Sequence, residues 1–300
     1  MEKLEEPVSA SGHDATVDTV GLMKSSAHKR LCISGARDRA LVLWDTDAVA
    51  RKMDKEIWRL CHVPEAHQGW IWNLCKGDND IFYSCAWDRY VKQWQIGNGC
   101  INRICDVQMA SAALCVVNDG AVTICSTFGR RVIALDARNS LQKIADMLYH
   151  RSAVFHLVQD SGSNYLYSCG EDRRIVCVDK RMWKVINELQ LKAYAQTISL
   201  RQGQLLCGNV KGQLLSVDPT SLKILNEVSI ENNGPIRQVR LNAGTQMCIS
   251  KYRVFKVFTP GLRPKLLAES PKFDIDLTRF DYYDGTLAVA CSNGCVMFWS

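Results

Sequence analysis

The chain has 300 residues, with 37 Lys and Arg against 31 Asp and Glu, a net charge of +6, 47% apolar and 23% charged residues. These are ordinary globular proportions, and no stretch approaches the ~18 continuous apolar residues that would make a helical membrane span. Basic residues are interspersed with acidic ones rather than blocked, so Arg37-Asp38-Arg39, Arg130-Arg131 and Arg173-Arg174 read as solvated turns and no nucleic-acid partner is expected. In chain order, the first strand is Val17–Met23. Leu31–Gly35 and Ala40–Trp44 follow, separated by the polar turn Ala36-Arg37-Asp38-Arg39. Residues 51–66 read as an extended loop leading into an outer strand at Ile57–Cys61. The series then repeats as Trp70–Lys76, Ile81–Ala86, Val91–Gln95 and Cys100–Val107.

The repetition continues to the end. LCISGARDRALVLWD (31–45) returns as IFYSCAWDRYVKQWQ (81–95) and YLYSCGEDRRIVCVD (165–179). Fainter copies end at Asp136, Asp218, Thr259 and Ser300, with Leu141–Leu148, Val185–Leu191, Leu222–Ile230 and Lys265–Glu269 as further outer strands. From Asp45 through Gln95, Asp136, Asp179, Asp218 and Thr259 to Ser300 the steps are 50, 41, 43, 39, 41 and 41 residues. A period of about 40–45 residues is that of a propeller blade. The expectation is an all-β, seven-bladed propeller of four-stranded antiparallel blades, one domain over residues 1–300, with almost no helix. Its last blade needs an outer strand from residues 1–11. Because Pro7 cannot donate to a ladder, that edge should be short, frayed or partly unpaired.

His13, His67 and His150 open three repeats; Ser34, Ser84 and Ser168 lie in second strands; Asp38, Asp88 and Asp172 sit in the turns; Trp44 and Trp94 end third strands. This pattern resembles the WD-repeat family, in which such residues form a buried hydrogen-bonded network. The repeats at Gly129, Lys211, Tyr252 and Asn293 lack the Asp and the opening His, and should rest on strand packing. The stretches AHQGWIWNL, SCAWDRYVKQW, CGEDRRIVCVDKR and GNVKGQLLSVD further resemble the propellers of F-box and WD-repeat proteins.

That resemblance implies the substrate-recognition part of an SCF-type ubiquitin ligase receptor, with a client protein or peptide on the top face of the propeller. The Skp adaptor and a cullin would join only through an F-box, a helical segment longer than the residues preceding Gly12 here. The residue before each turn Asp points to the top face in that family: Arg37, Trp87, Phe128, Glu171, Val210, Lys251 and Ser292. First-strand starts add Trp70, Trp72, Phe155 and Arg237. Trp70, Trp72, Trp87 and Phe128 should cluster beside Arg37, the composition of an interface hot spot. The other reading of Trp70 and Trp72 is packing between blades, and Trp44, Trp94 and Trp299 read as core. Asp136-Ala-Arg138 and Asp179-Lys-Arg181 resemble the ending of a cullin-4-receptor motif, with Leu135 and Val178 replacing its Trp. A cullin-4-type receptor and a ubiquitin-independent scaffold therefore stand as alternatives.

No catalytic motif is found: the chain has no GxSxG elbow, GxxxxGK loop, GxGxxG turn or HExxH helix. The 14 Cys have no paired metal-ligand spacing, so neither metal nor cofactor is expected. Cys32, Cys85, Cys125, Cys169, Cys207 and Cys248 fall in second strands and read as reduced thiols, which places the protein in cytoplasm or nucleus, a monomer by itself with no membrane partner.

Overall fold

A computed structural model describes residues 2–3, 6–27, 29–159, 163–201, 203–230, 234–242, 245–250, 253–259, 261 and 264–299. Nearly every apolar run is a strand, and strands neighbouring in sequence pair into sheets. Repeat 1 forms Val17–Lys24, Arg30–Ala36, Leu41–Asp45 and Arg59–Val63; repeat 2 forms Ile71–Lys76, Ile81–Ala86, Tyr90–Gly97 and Cys100–Gln108. Repeats 3, 4 and 5 run from Ala113–Asp119 to Gln142–Met147, from Val154–Gln159 to Lys184–Gln190, and from Ala195–Arg201 to Ile224–Ser229. Second and third strands are buried along almost their whole length, while the outer strand Cys100–Gln108 is mostly exposed. A strand covered on both faces needs apolar side chains throughout; an outer strand needs them on one face only.

The expected architecture changes in two places. Six sheets are four-stranded, not seven. The sheet of repeat 6 has five strands: Ile236–Asn242, Thr245–Ser250, Phe255–Phe258, Leu266–Glu269 and, parallel to the last, Glu2–Lys3. An outer strand offers unpaired backbone groups, and the N-terminal segment covers that row. The same segment, past Pro7, supplies Val8–Ser11 to the sheet of repeat 7, pairing antiparallel with Cys295–Trp299 from Val8↔Phe298 to Ser11↔Cys295. The second change is helical. Helices α1 (Thr46–Ala50) and α2 (Lys55–Trp58) precede Arg59–Val63; α2 falls in the stretch 51–66 read as loop and strand, and α1 just before it. The Asp45 carboxylate accepts the N–H groups of Asp47 and Ala48 at 3.0 Å and so caps α1. Helices this short leave no periodic signature. None among the described residues is long and apolar enough to cross a membrane.

The chain forms two compact units. Unit 1 comprises Met1–Leu4, Ser126–Val132 and Ala145–Leu277; unit 2 comprises Glu5–Cys125, Ile133–Ile144 and Thr278–Ser300. Within unit 2, Leu41, Leu43, Ile71, Phe82 and Trp94 close the space between repeats 1 and 2, and Val20, Leu22, Trp44, Ala288 and Phe298 that between repeats 1 and 7. Within unit 1, Ile175, Ile198, Leu205 and Leu215 join repeats 4 and 5, and Leu206, Leu214, Ile236 and Phe258 join repeats 5 and 6. Each buried Val, Leu, Ile or Phe among them contributes about 1.5–3 kcal/mol. First strands are also stitched to their neighbours: the Leu22 N–H donates to Asp281 at 2.7 Å, Val116 N–H to Asn73 at 3.0 Å, and Val239 N–H to Thr197 at 3.1 Å. The second-strand cysteines Cys32, Cys85, Cys125, Cys169 and Cys207 are buried and in no disulfide, and burial pushes the Cys207 pKa up to about 12. Cys248 lies in Thr245–Ser250, where the side chains are outside the described residues.

Candidate partner-binding face

The turns between second and third strands position the site, and a buried relay fixes three of them. In repeat 2 the Trp94 indole N–H donates to Ser84 Oγ at 2.8 Å, Ser84 Oγ lies 2.6 Å from His67 Nε2, and His67 Nδ1 lies 2.8 Å from Asp88. Indole can only donate and carboxylate only accept. The assignment that leaves no buried donor unused is therefore a neutral His67 with its proton on Nδ1: Trp94 to Ser84 to His67, and His67 to Asp88. Burial accordingly lowers the His67 pKa, with Asp88 pulling the other way. Asp88 then accepts the N–H groups of Gln68 and Tyr90 at 2.8 and 2.9 Å. Burial, the largest single influence, would raise its pKa; His67 and the N–H groups of Tyr90 and Gln68 together outweigh that and hold it below the carboxylate range.

Repeat 1 repeats the relay through Trp44, Ser34, His13 and Asp38. Repeat 4 keeps His150, Ser168 and Asp172 but has buried Val178 in place of the indole, one bond fewer. Elsewhere other groups take the turn: Asn293 Oδ1 accepts the Cys295 N–H at 3.3 Å, Asn209 Oδ1 those of Lys211 and Gln213, and the Thr127 hydroxyl that of Arg131. The residue after each turn position has positive φ: Arg39, Arg89, Arg130, Arg173, Gly212, Arg253 and Gly294, between 63° and 83°. This conformation aims carbonyls at the chain leaving the outer strand, as in Met109 N–H to Arg89 C=O at 2.7 Å. At Gly294 a Cβ would come 2.2 Å from the His13 carbonyl oxygen, so no side chain fits there.

Two positions per repeat are presented beside that turn. One is the residue before the turn position, whose N–H donates to the residue preceding or opening the first strand: Arg37 to Thr16, Trp87 to Trp70, Glu171 to Ala153, and Val210 to Tyr194. The other is a β-bulge at the second residue of the first strand. Pairing skips Asp18, Trp72, Phe155, Gln196 and Arg237. A bulge bends its strand and re-aims the unpaired residue.

In unit 2 these positions assemble a cluster. Trp70 and Trp87 are 45% and 39% exposed, and Trp72 is half-buried. Their rings are near-perpendicular: Trp70 and Trp87 have centroids 6.2 Å apart at 67°, Trp72 and Trp87 6.0 Å apart at 79°. The Arg37 guanidinium lies 4.7 Å from the Trp70 centroid and is held by Asp18 at 2.9 and 3.3 Å. Gly69 permits the approach, since a Cβ there would meet the Asp88 nitrogen at 2.6 Å.

Four of the anticipated face residues, Arg37, Trp70, Trp72 and Trp87, thus stand together. Phe128 is 53% exposed on a turn assigned to unit 1. Also in unit 1, Phe155 packs on Tyr194 with centroids 5.8 Å apart, Glu171 accepts from the Ser152 hydroxyl, and Arg237 lies 4.0 Å from Asp276, whose closer partner is Arg253 at 2.8 Å. Lys251 lies outside the described residues, as does Tyr252. Trp44, Trp94 and Trp299 are buried. Arg181 folds back onto Asp179 at 2.6 Å, and Arg138 lies 3.7 Å from Asp136. Asp18 and Tyr194 were not singled out from the sequence. Their signal is positional: Asp18 follows the first buried residue of its strand as Trp72 does, and Tyr194 stands one residue before the strand as Trp70 does.

Residues 58–95 match the model of the WD domain, G-beta repeat. The chain is 31% identical over 299 residues to F-box/WD repeat-containing protein mec-15 of Caenorhabditis elegans, covering 96% of this chain and 72% of that protein. It is 27% identical to F-box/WD repeat-containing protein 9 of Homo sapiens and 25% identical to that of Bos taurus, spanning 61% of the length of each. A crystal structure of RRP9 WD40 repeats shares the fold, with a TM-score of 0.84 over 97% of both chains at 12% identity. The fold is an all-β WD40 propeller with four-stranded antiparallel blades, and with a 31% identical relative matched over 96% of its residues this chain belongs to the F-box/WD repeat-containing proteins.

Proposed function

We propose that this chain is the partner-holding propeller of an F-box-type ubiquitin ligase receptor, and that a client protein docks on the face carrying Arg37, Trp70, Trp72 and Trp87. The observation that carries this reading is the three-tryptophan cluster. Two large indoles stand about 40% exposed, Trp87 on a turn that a buried relay ties to the core and Trp70 beside it ahead of the first strand. Exposing so much aromatic surface gives up burial energy, and rigid Trp beside Arg is the make-up of a binding hot spot. The relatives named for an F-box supply the ligase half of the reading.

The test is quantitative capture of partners by the full-length gene product and by its Trp87→Ala variant. The expected result is that a cullin-type ligase assembly is recovered by both, while client recovery falls at least tenfold for Trp87→Ala with an unchanged melting temperature. A folded variant that retains its clients removes the cluster from the site. Absence of every ligase subunit from the full-length capture leaves a scaffold, and recovery of a cullin-4 assembly instead changes the class of ligase.

A further inference from the structure

We infer that the tryptophan cluster of unit 2 reads a cation: a lysine side chain of the partner, bound more tightly when its ammonium is methylated. This rests on the reading of the cluster as a docking face and adds the chemistry of the anchor.

Trp70 and Trp72 each stand near-perpendicular to Trp87 with centroids 6.2 and 6.0 Å away. Rings at such an angle and spacing form corners in which one small cation can face two aromatic surfaces at once, within the roughly 6 Å reach of a cation–π contact. An anchor of purely apolar character would be served as well by aliphatic side chains. Three indoles offer in addition the negative potential of their ring faces.

The cluster already holds one cation from its own chain. Arg37 lies over Trp70 at 4.7 Å. That guanidinium does not leave the site positive, because the buried Asp18 carboxylate pairs with it at 2.9 Å. A second carboxylate, Asp88, follows Trp87 in the chain and is held ionised, with hydrogen bonds from His67 and two backbone N–H groups. Lys92, in the third strand of repeat 2, is turned inward, its Nζ donating to the Ala66 carbonyl at 2.8 Å. With Arg37 offset by Asp18, the ring faces of the exposed indoles favour a positive ligand. A trimethylammonium group suits them better than a bare ammonium, since it sheds less hydration on leaving water for an aromatic corner.

The experiment follows the tryptophan indole N–H resonances of the isotope-labelled chain by NMR while three probes are added. These are choline, its uncharged tert-butyl isostere, and a short peptide with one trimethyl-lysine. Choline and the peptide should shift the signals of Trp70, Trp72 and Trp87, leave buried Trp94 unmoved, and bind at least tenfold more tightly than the isostere. The peptide should bind more tightly than choline, marking a protein side chain rather than a free ammonium as the source. Trp72→Ala and the milder Trp87→Phe should each weaken the peptide at least fivefold with melting temperature unchanged. Equal binding of the isostere, shifts at other tryptophans, or no shift at all overturns the inference. Choline binding tighter than the peptide overturns its protein source. If the probes fail while Trp87→Ala still loses its clients, the docking face stands and only its cation chemistry falls.

Discussion

In repeat 2 the turn after Ile81–Ala86 is tied to the core by Asp88, His67, Ser84 and Trp94, whereas in repeat 5 the matching turn after Gln204–Asn209 is tied by Asn209. Both reach the same backbone, with φ of 73° at Arg89 and 75° at Gly212. Both satisfy two backbone N–H groups with one side-chain amide or carboxylate, though one of those in repeat 2, Gln68, lies ahead of the first strand. The difference is depth. Asn209 touches only its own turn, through Lys211 and Gln213, while the relay of repeat 2 runs from the turn through the strand that precedes it to an indole in the third strand. Turn geometry therefore needs one local acceptor. The buried relay adds rigidity between strands, and it lies under the repeat that carries the three-tryptophan cluster.

The strongest way to break this comparison is Asp88→Ala. It strips a fully buried His67 of its acceptor and leaves the N–H groups of Gln68 and Tyr90 without theirs, at a cost of about 3–5 kcal/mol. Urea unfolding reads the loss, and hydrogen exchange should show Ile81–Ala86 exchanging faster. A cost near that of the repeat 5 change described below would mean that the relay adds nothing beyond a turn cap.

Acid tests the same relay. The folded pKa of His67 is depressed by burial, so its contribution is complete above the unfolded value of about 6.5 and is lost as pH falls through the folded value. The Asp38, Asp88 and Asp172 carboxyls, which burial alone would raise, are held low by their histidine partners. Their share is complete above about pH 3.9 and is lost below it, as pH falls through the folded values. The urea midpoint should drop as pH falls below about 6.5, and the drop should shrink in His67→Gln. A flat midpoint over that range would contradict a neutral His67. In repeat 5, Asn209→Ala should cost only about 1–2 kcal/mol, the loss of a local cap, with little dependence on pH over this range.

Much of this was legible in the sequence, because a period of about 41 residues and Ser, Asp and Trp at fixed offsets are local signals. The relay could be named before its distances were known. The fifth strand of repeat 6 could not: Glu2–Lys3 pairs with Ala268 and Glu269, and nothing in two residues announces a partner so far along the chain. Helix α1 was missed for the opposite reason, since one turn capped by Asp45 is too short for periodicity. At the site, Trp70, Trp72 and Trp87 stood out by type. Asp18 did not, because an Asp at a strand start reads as solvated until the bulge turns it toward Arg37.

The smallest effect bears on the geometry the two repeats share. A non-glycine residue in the left-handed region costs about 1–2 kcal/mol, while glycine pays about 0.5–1 kcal/mol in chain entropy. Arg89→Gly should therefore stabilise the protein by about 0.5–1 kcal/mol, and Gly212→Ala should destabilise it by a similar amount. Arg89 is exposed and its carbonyl keeps the bond from Met109 in either form, so the change isolates the backbone term. If Arg89→Gly instead loses stability, the arginine side chain is itself holding the turn. The occurrence of arginine at five of these seven turns would then reflect a contact rather than tolerated strain.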